Sequence, residues 1–304
     1  MEIMVKNISS SFVDFIYYSK YFLYFNFFMV SLFSNLIYYF SFGKINNSLI
    51  KNLYYVINLN GCVLIKFVQW TVTNIEPLEN DESKVILDLF YNYYENCDVH
   101  GINYTKQLFY DEYGMEFDSV FVLDDNFKVK SGSIAQVYKA KFKTNDYLIT
   151  NLIDNLIDNS NNSNNFNNEL DDVAIKVVHP QIKYQMYFPI KFINFYQYCI
   201  KKFDCLKKYG TIFDFDSFFE NLQLQINMNN EFNNMKYFYD YYSNNEYIVI
   251  PKPIVSSRQI LIMEFLTGSS IEELGVSEYE KKQLVSLLNL FIKKWIFLFR
   301  LYTF

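Results

Sequence analysis

The sequence predicts an α+β fold: a helical N-terminal part, a small sheet accompanied by helices, and a helical C-terminal end. Three stretches carry that expectation. "SGSIAQVYKA" (131–140) runs a small-residue turn straight into an alternating strand, "VAIKVV" (173–178) is a short apolar strand holding a lysine, and "QILIMEF" (259–265) is a buried strand that leads to Gly268.

Size and composition narrow the function classes. The chain has 304 residues, 51% of them hydrophobic, enough for one two-lobed domain or two small ones. Net charge is −6 with pI near 5.1 and there is no basic block, so no nucleic-acid partner is expected. Four cysteines, Cys62, Cys97, Cys199 and Cys205, lack metal-ligand spacing, so no metal site is expected. Only two histidines are present, His100 and His179; neither has a recognisable partner, which argues against a histidine-based hydrolase. His179, just before Pro180 at a strand end, reads as structural. Aromatic residues make up 20% of the chain, a bias that fits codon composition and points to no function.

Taken in order, residues 1–20 form an N-terminal segment, followed at 21–43 by an uncharged run between Lys20 and Lys44. As a helix it spans about 34 Å, enough for the hydrocarbon core of a bilayer, and a membrane-spanning or membrane-embedded helix is expected there. Asn26, Asn35 and the tyrosines favour the other reading, a buried or interfacial helix. Glu2 and Asp14 argue against a cleavable secretory signal. Residues 44–130 read as a mostly helical extension with turns at "NIEPLENDES" and "HGIN", and the asparagine-rich stretch 145–172 as a disordered, deletable insertion. Helices are expected at 184–207, 217–242 and 270–302, the second opened by a capping box of Ser217 and Glu220. Strands are expected at 247–250 ("YIVI") and 259–265.

In "VAIKVV" alternation puts Ala174 and Lys176 on one face and Val173, Ile175 and Val177 on the other. A small residue beside a lysine can cover a flat base and reach its phosphates, although a lone strand lysine is more often a solvated side chain. Three neighbours raise the functional reading. The loop Ser131, Gly132, Ser133, Ile134, Ala135 and Gln136 lets backbone amides approach an anion. Glu231 on the following long helix is placed to pair with Lys176, and its competing reading is a solvated helix charge. "ILIMEFLTG" offers Met263, then the backbone of Glu264 and Phe265, as a pocket wall and adenine-gripping hinge. Together they describe a protein-kinase-like N-lobe.

At this level of detail "SGSIAQVYKA", "VAIKVVHPQI", "EFNNMKYF" and "ILIMEFLTG" resemble consecutive motifs of the UbiB or aarF-domain atypical kinases, over roughly residues 60–300. The resemblance implies ATP as ligand, phosphate contact by Lys176, orientation by Glu231 and phosphate covering by Ser131 to Gln136. It also implies adenine contacts from Ala174, Met263 and the backbone of Glu264 and Phe265. "LIKFVQWTVT" resembles the family's Lys-x-Gly-Gln signature, carried on a regulatory extension that covers the pocket, with Lys66 and Gln69 three apart on one helical face. Trp70 and Thr73 point to the branch that includes the mitochondrial member with Gln-Trp at this point. Implied partners are a nucleotide, a membrane and proteins of lipid or quinone biosynthesis. The implied location is the mitochondrion, although the N-terminus lacks the Arg- and Ser-rich look of a transit peptide.

The sequence departs from that pattern in three places. Val68 replaces the signature glycine, which is expected to keep the extension further from the pocket. Gln225 and Asn227 stand where many members carry acids near the signature lysine. The family's His-x-Asp-x-His-Pro-Gly-Asn segment and later Asp-Phe-Gly-like segment, which position the reaction and hold Mg²⁺, do not occur before the sequence ends in "FIKKWIFLFRLYTF". No catalytic residue is therefore assigned, Mg²⁺ is expected only with a fuller C-lobe, and residues 269–304 read as the start of one after an N-lobe at 131–268. Three functions stay open: an incompletely represented atypical kinase or ATPase of quinone or lipid metabolism, a pseudokinase scaffold, and a helical membrane protein whose motifs are coincidental.

Overall fold

The computed structural model describes residues 2–74, 89–90, 97–143, 172–202, 215–269, and 273, 275, 277 and 279–289. The insertion expected at 145–172 lies outside these residues except for Asp172, as does the end of the helix expected at 270–302. The chain divides into two units, Met1–Phe265 and Leu266–Phe304. In the second, the described residues 279–289 are helical; Ser277 accepts at its hydroxyl from the Glu280 amide (3.3 Å) while its own amide and hydroxyl donate to the Glu280 carboxylate.

The first unit opens with α1 (Glu2–Phe42), α2 (Asn47–Asn60) and α3 (Cys62–Asn74), then α4 (Ile102–Tyr113) and the short α5 (Phe117–Val120). The sheet strands are β1 (Phe121–Leu123), β2 (Lys130–Ser131), β3 (Ala135–Phe142) and β4 (Val173–Val178). Then come α6 (Ile182–Lys202), α7 (Phe215–Gln225), α8 (Met228–Tyr242), β5 (Pro253–Ser256) and β6 (Ile260–Glu264). The sheet is antiparallel with order β1-β3-β4-β6-β5, and β2 adds to β3.

Alternation sorts the core onto the two sheet faces. Val173, Ile175 and Val177 join Tyr138, Ala140, Ile260 and Ile262 against Leu108, Phe109, Phe117 and Val120 of α4 and α5. Each fully buried Ile or Phe contributes roughly 1.5–3 kcal/mol, so this face anchors the sheet. On the other face Ala135, Val178 and Leu261 pack with Cys62 and Val63 of α3, Met186 of α6, Phe219 and Leu222 of α7, and Met228 of α8. Beyond it an aromatic layer joins α1, α2, α3 and α6 through Tyr21, Phe25, Ile57, Leu64, Phe188 and Phe192. Tyr17 stacks on Tyr184 with centroids 4.1 Å apart. The abundant aromatics, which carried no message in the sequence, are the cement of this layer.

The helix expected at 21–43 is part of a longer one. Residues Phe12–Phe42 are long and apolar enough to cross a membrane, and one face of α1, with Tyr21 and Phe25 buried, packs on α2 and α6. The opposite face leaves Phe15, Phe27, Val30, Phe33, Ile37 and Phe40 exposed.

Three local expectations are corrected. The helix expected at 217–242 is two helices, because Asn227 interrupts it and caps α8, its Oδ1 accepting from the Asn229 amide at 3.2 Å. Ser217 lies inside α7, which already includes Phe215, so the Ser217–Glu220 pair is not its start. "YIVI" is no strand: Asn245 Oδ1 accepts from the Tyr247 and Ile248 amides and folds the segment into a turn, leaving Tyr247 92% exposed. The edge strand instead runs through "PIVS" at 253–256.

Gly61 joins α2 to α3 with φ +79, donating its amide to Ile57 and Asn58 carbonyls. A Cβ there would also lie 2.5 Å from Gln185 Oε1, the atom that accepts from the Cys62 amide. Gly61→Ala is expected to lower unfolding free energy by about 1–2 kcal/mol in urea denaturation, from backbone conformation and the lost helix-start bond together.

Candidate functional site

The helix-covered face of the sheet holds a cavity of about 380 Å³, in the range of small-ligand pockets. It is lined by Lys66 of α3, residues 130–135 and Val137 of the β2–β3 hairpin, Lys176 of β4, Gln225 of α7, and Met228 and Glu231 of α8.

Register explains Lys176. It faces Val137 on one side and Leu261 on the other, on the same sheet face as Ala135 and Val178. Glu231 arrives from the first turn of α8, a helix fixed to the sheet through the buried Met228, whose amide donates to Arg258 O at 3.0 Å. Lys176 Nζ lies 2.6 Å and 2.8 Å from the two Glu231 carboxylate oxygens, the pairing that the sequence pattern anticipates. Glu231 is therefore no free solvated charge.

Lys66 reaches the same cavity. Val68, replacing the signature glycine, packs into the aromatic layer, while Lys66 two residues before it lines the cavity. Among the described residues Lys66 has no hydrogen bond or ion pair, and burial, then repulsion from the Lys176 ammonium, holds its pKa below the ordinary lysine value. Gln69 is buried but does not line the cavity. Gln225 lines it as a neutral group, while Asn227 is occupied as the α8 cap. With Lys66 and Lys176 against Glu231, the described lining carries an excess of positive charge in a protein of net charge −6.

The loop residues divide by role. Gly132 donates its amide to Ala135 O, and Ser133 lines the cavity with a buried hydroxyl that has no partner among the described residues. Ile134 and Ala135 also border the space while packing into the core. Ser131 Oγ is already engaged, donating to Asp98 O at 2.9 Å. Gln136 is a correction: strand alternation points it to the opposite face, fully buried, where it bonds to His100 and Tyr138.

The proposed adenine wall is less complete. Ala174 and Met263 are cross-strand partners on Lys176's face, but neither lines the cavity. The Glu264 amide is bonded to Lys252 O (2.9 Å) and the Phe265 amide to Asp172 O (3.1 Å), so neither is open as a hinge donor. The Phe265 ring instead lies under Lys139, 4.9 Å from its centroid, and Lys139 bridges Asp124 and Asp172.

The two histidines, without recognisable partners in sequence, are each other's partner: their Nδ1 atoms are 2.9 Å apart behind the loop. Burial, reinforced by His179, pushes His100 down to about 4, and burial also lowers His179. Both depressed values mean that the unfolded chain binds more protons, so their stabilisation is full above about pH 6.5 and is lost as pH falls toward 4. Thermal midpoints measured over that window should fall, and should fall less steeply in His100→Asn.

Comparison with known proteins finds sequence relatives. A family model of the ABC1 atypical kinase-like domain matches residues 164–301, a stretch containing Lys176, Glu231 and Met263. The chain is similar to that family over this stretch, which is a little under half of its length. The chain is 23% identical over 217 residues to the mitochondrial ABC1 family protein C21C3.03 of Schizosaccharomyces pombe, covering 68% of this chain and 30% of that protein. It thus spans about a third of the length of that relative. Among solved structures it is similar to the Rv3197–erythromycin complex from Mycobacterium tuberculosis, with 16% identity and a TM-score of 0.39 over 58% of this chain and 38% of that one. Lys66 and the loop Ser131–Gln136 lie N-terminal to the matched ABC1 stretch.

Proposed function

We propose that this chain binds ATP, with the phosphates in the lysine-rich cavity. The observation that carries the reading is Lys176, held by Glu231 at 2.6 Å, facing a cavity shared with Lys66 and the Ser133 hydroxyl, neither of which has an ion pair or hydrogen bond among the described residues. An anion of several charges would satisfy all three at once. Lys176 would contact phosphate, Glu231 would aim it, and the backbone of Gly132 and Ser133 would cover the phosphates. Among the described residues no group of three or more His, Cys, Asp or Glu side chains could hold a metal, so no step is routed through Mg²⁺.

Phosphoryl transfer or ATP hydrolysis, in lipid or coenzyme Q metabolism, is the activity that family resemblance assigns to the whole protein. The apolar exposed face of α1 supports a membrane setting, and the similarity to a mitochondrial fission-yeast protein supports the mitochondrion. Fluorescent ATP-analogue titration of the purified chain tests the first claim. Saturable binding that inorganic triphosphate competes away is expected; absence of binding up to millimolar analogue overturns it. Binding with no turnover by the whole protein would favour the pseudokinase scaffold.

A further inference from the structure

Behind the loop, seven polar groups form one directed chain. His179 Nε2 lies 2.9 Å from the Gly132 carbonyl oxygen, which only accepts, so the ring hydrogen is on Nε2. In the neutral ring Nδ1 then accepts, and His100 Nδ1 must donate to it across 2.9 Å. His100 Nε2 in turn accepts from Thr105 Oγ1 at 3.0 Å, Thr105 accepts from the Tyr138 hydroxyl at 2.9 Å, and Tyr138 accepts from Gln136 Nε2. Gln136 closes the circuit on the His100 backbone, accepting from its amide at 2.9 Å and donating to its carbonyl at 3.1 Å. From Gln136 through Tyr138, Thr105 and His100 to His179 and Gly132 each bond donates onward, so the two rings hold opposite tautomers.

The far end of this chain is the cavity loop. His179 grips it twice, its amide donating to Ile134 O (2.9 Å) and its ring to Gly132 O. Those two carbonyls bracket Ser133, whose hydroxyl, without a partner among the described residues, is in the cavity lining. His100 touches neither the cavity nor the loop; it fixes the His179 ring and thereby the loop.

We propose that His100 is a positioning residue for the anion-binding loop 132–134, acting through the His179 ring, with Thr105 fixing which nitrogen of His100 donates. The ligand half of this inference rests on the ATP reading above; the loop half does not. A second proton on His179 would place hydrogens on both Nδ1 atoms, 2.9 Å apart, and break the relay, whereas one on His100 would go to Nε2 and displace the hydrogen that Thr105 donates there. The titratable groups facing the pair are Asp98 before α4, Tyr104 of α4, whose ring meets His100 edge-on, and Tyr138 of β3. The Asp98 carboxylate pulls His179 toward its charged form, but burial outweighs it.

With only two histidines, the full chain gives an uncrowded long-range proton–nitrogen NMR spectrum, assigned by loss of one ring in His100→Asn. The expected result is two neutral rings between pH 6 and 8, His100 protonated on Nδ1 and His179 on Nε2. His100→Asn should speed exchange of the Gly132 amide about five- to tenfold and weaken ATP-analogue binding by a similar factor, the scale of one hydrogen bond. Thr105→Val, nearly the same shape, should shift His100 toward the other tautomer and speed the same amide, which keeps a test if the asparagine variant folds poorly. His100 protonated on Nε2 in the unaltered chain, or Gly132 exchange unchanged in both folded variants, overturns the proposal. Faster loop exchange in the variants of a chain that binds no analogue would retain the positioning role and overturn the ATP reading. Unchanged exchange with intact analogue binding would do the reverse.

Discussion

Lys176→Ala is expected to weaken ATP-analogue binding about a hundredfold or more while leaving the thermal midpoint nearly unchanged. The affinity loss follows from removing a cation that would make charge-assisted hydrogen bonds to phosphate, each worth roughly 1.5–3 kcal/mol. Tolerance of the fold follows from the surroundings. The side chains of Lys176 and Glu231 are 25% and 34% exposed, so solvent screens the pair and its contribution to stability is small. Glu231 also sits in the first turn of α8, where unpaired backbone amides stabilise a carboxylate without the lysine. The apolar anchoring of β4 belongs to Val173, Ile175 and Val177 on the other face. Glu231→Gln should lose less affinity than Lys176→Ala, since it releases the lysine but keeps its charge. A double-mutant cycle should show the two losses to be strongly non-additive, as expected of residues acting as one unit. Equal analogue affinity in Lys176→Ala and the unaltered chain would refute the assignment.

The parts of this site legible in sequence are those set by local periodicity. Alternation in "VAIKVV" places Lys176 opposite the apolar face, and strand pairing does place it so. Glu231 was reachable from the family's motif order, not from spacing, because 55 residues separate it from Lys176. What sequence could not supply were contacts that depend on which elements meet. Gln136 was read as part of the loop because its neighbours are small; as the second residue of β3 it necessarily points to the opposite face from Ala135 and Val137. The His100–His179 contact spans 79 positions and no periodicity announces it. At 217–242 the apolar pattern is continuous, and only the Asn227 side chain accepting from Asn229 reveals the break. "YIVI" shows the opposite failure, where strand propensity lost to the side-chain acceptor of Asn245.

Lys66 should respond to substitution with opposite signs in fold and binding. Its ammonium is half-buried beside that of Lys176 and, among the described residues, has no ion pair, so it is a cost to the ligand-free fold. The direction of its shift gives the pH behaviour. A folded pKa below the unfolded lysine value means that the charged form is disfavoured in the folded protein throughout the neutral range. Stability is regained as pH rises through that lowered pKa toward 10.5. Lys66→Met keeps the length of the stem and removes the charge, and should raise unfolding free energy by about 1 kcal/mol at pH 7. The same change should weaken ATP-analogue binding about tenfold, because a desolvated cation waiting at the phosphates is what the anion would neutralise. It should also abolish most of the thermal stabilisation that inorganic triphosphate gives the unaltered chain. Denaturant unfolding and analogue titration on one preparation read both signs. A variant less stable than the unaltered chain, or one binding the analogue equally well, would show that Lys66 serves packing on α3 and not the cavity. The two-sided outcome separates Lys66 from Lys176, whose charge is already balanced by Glu231.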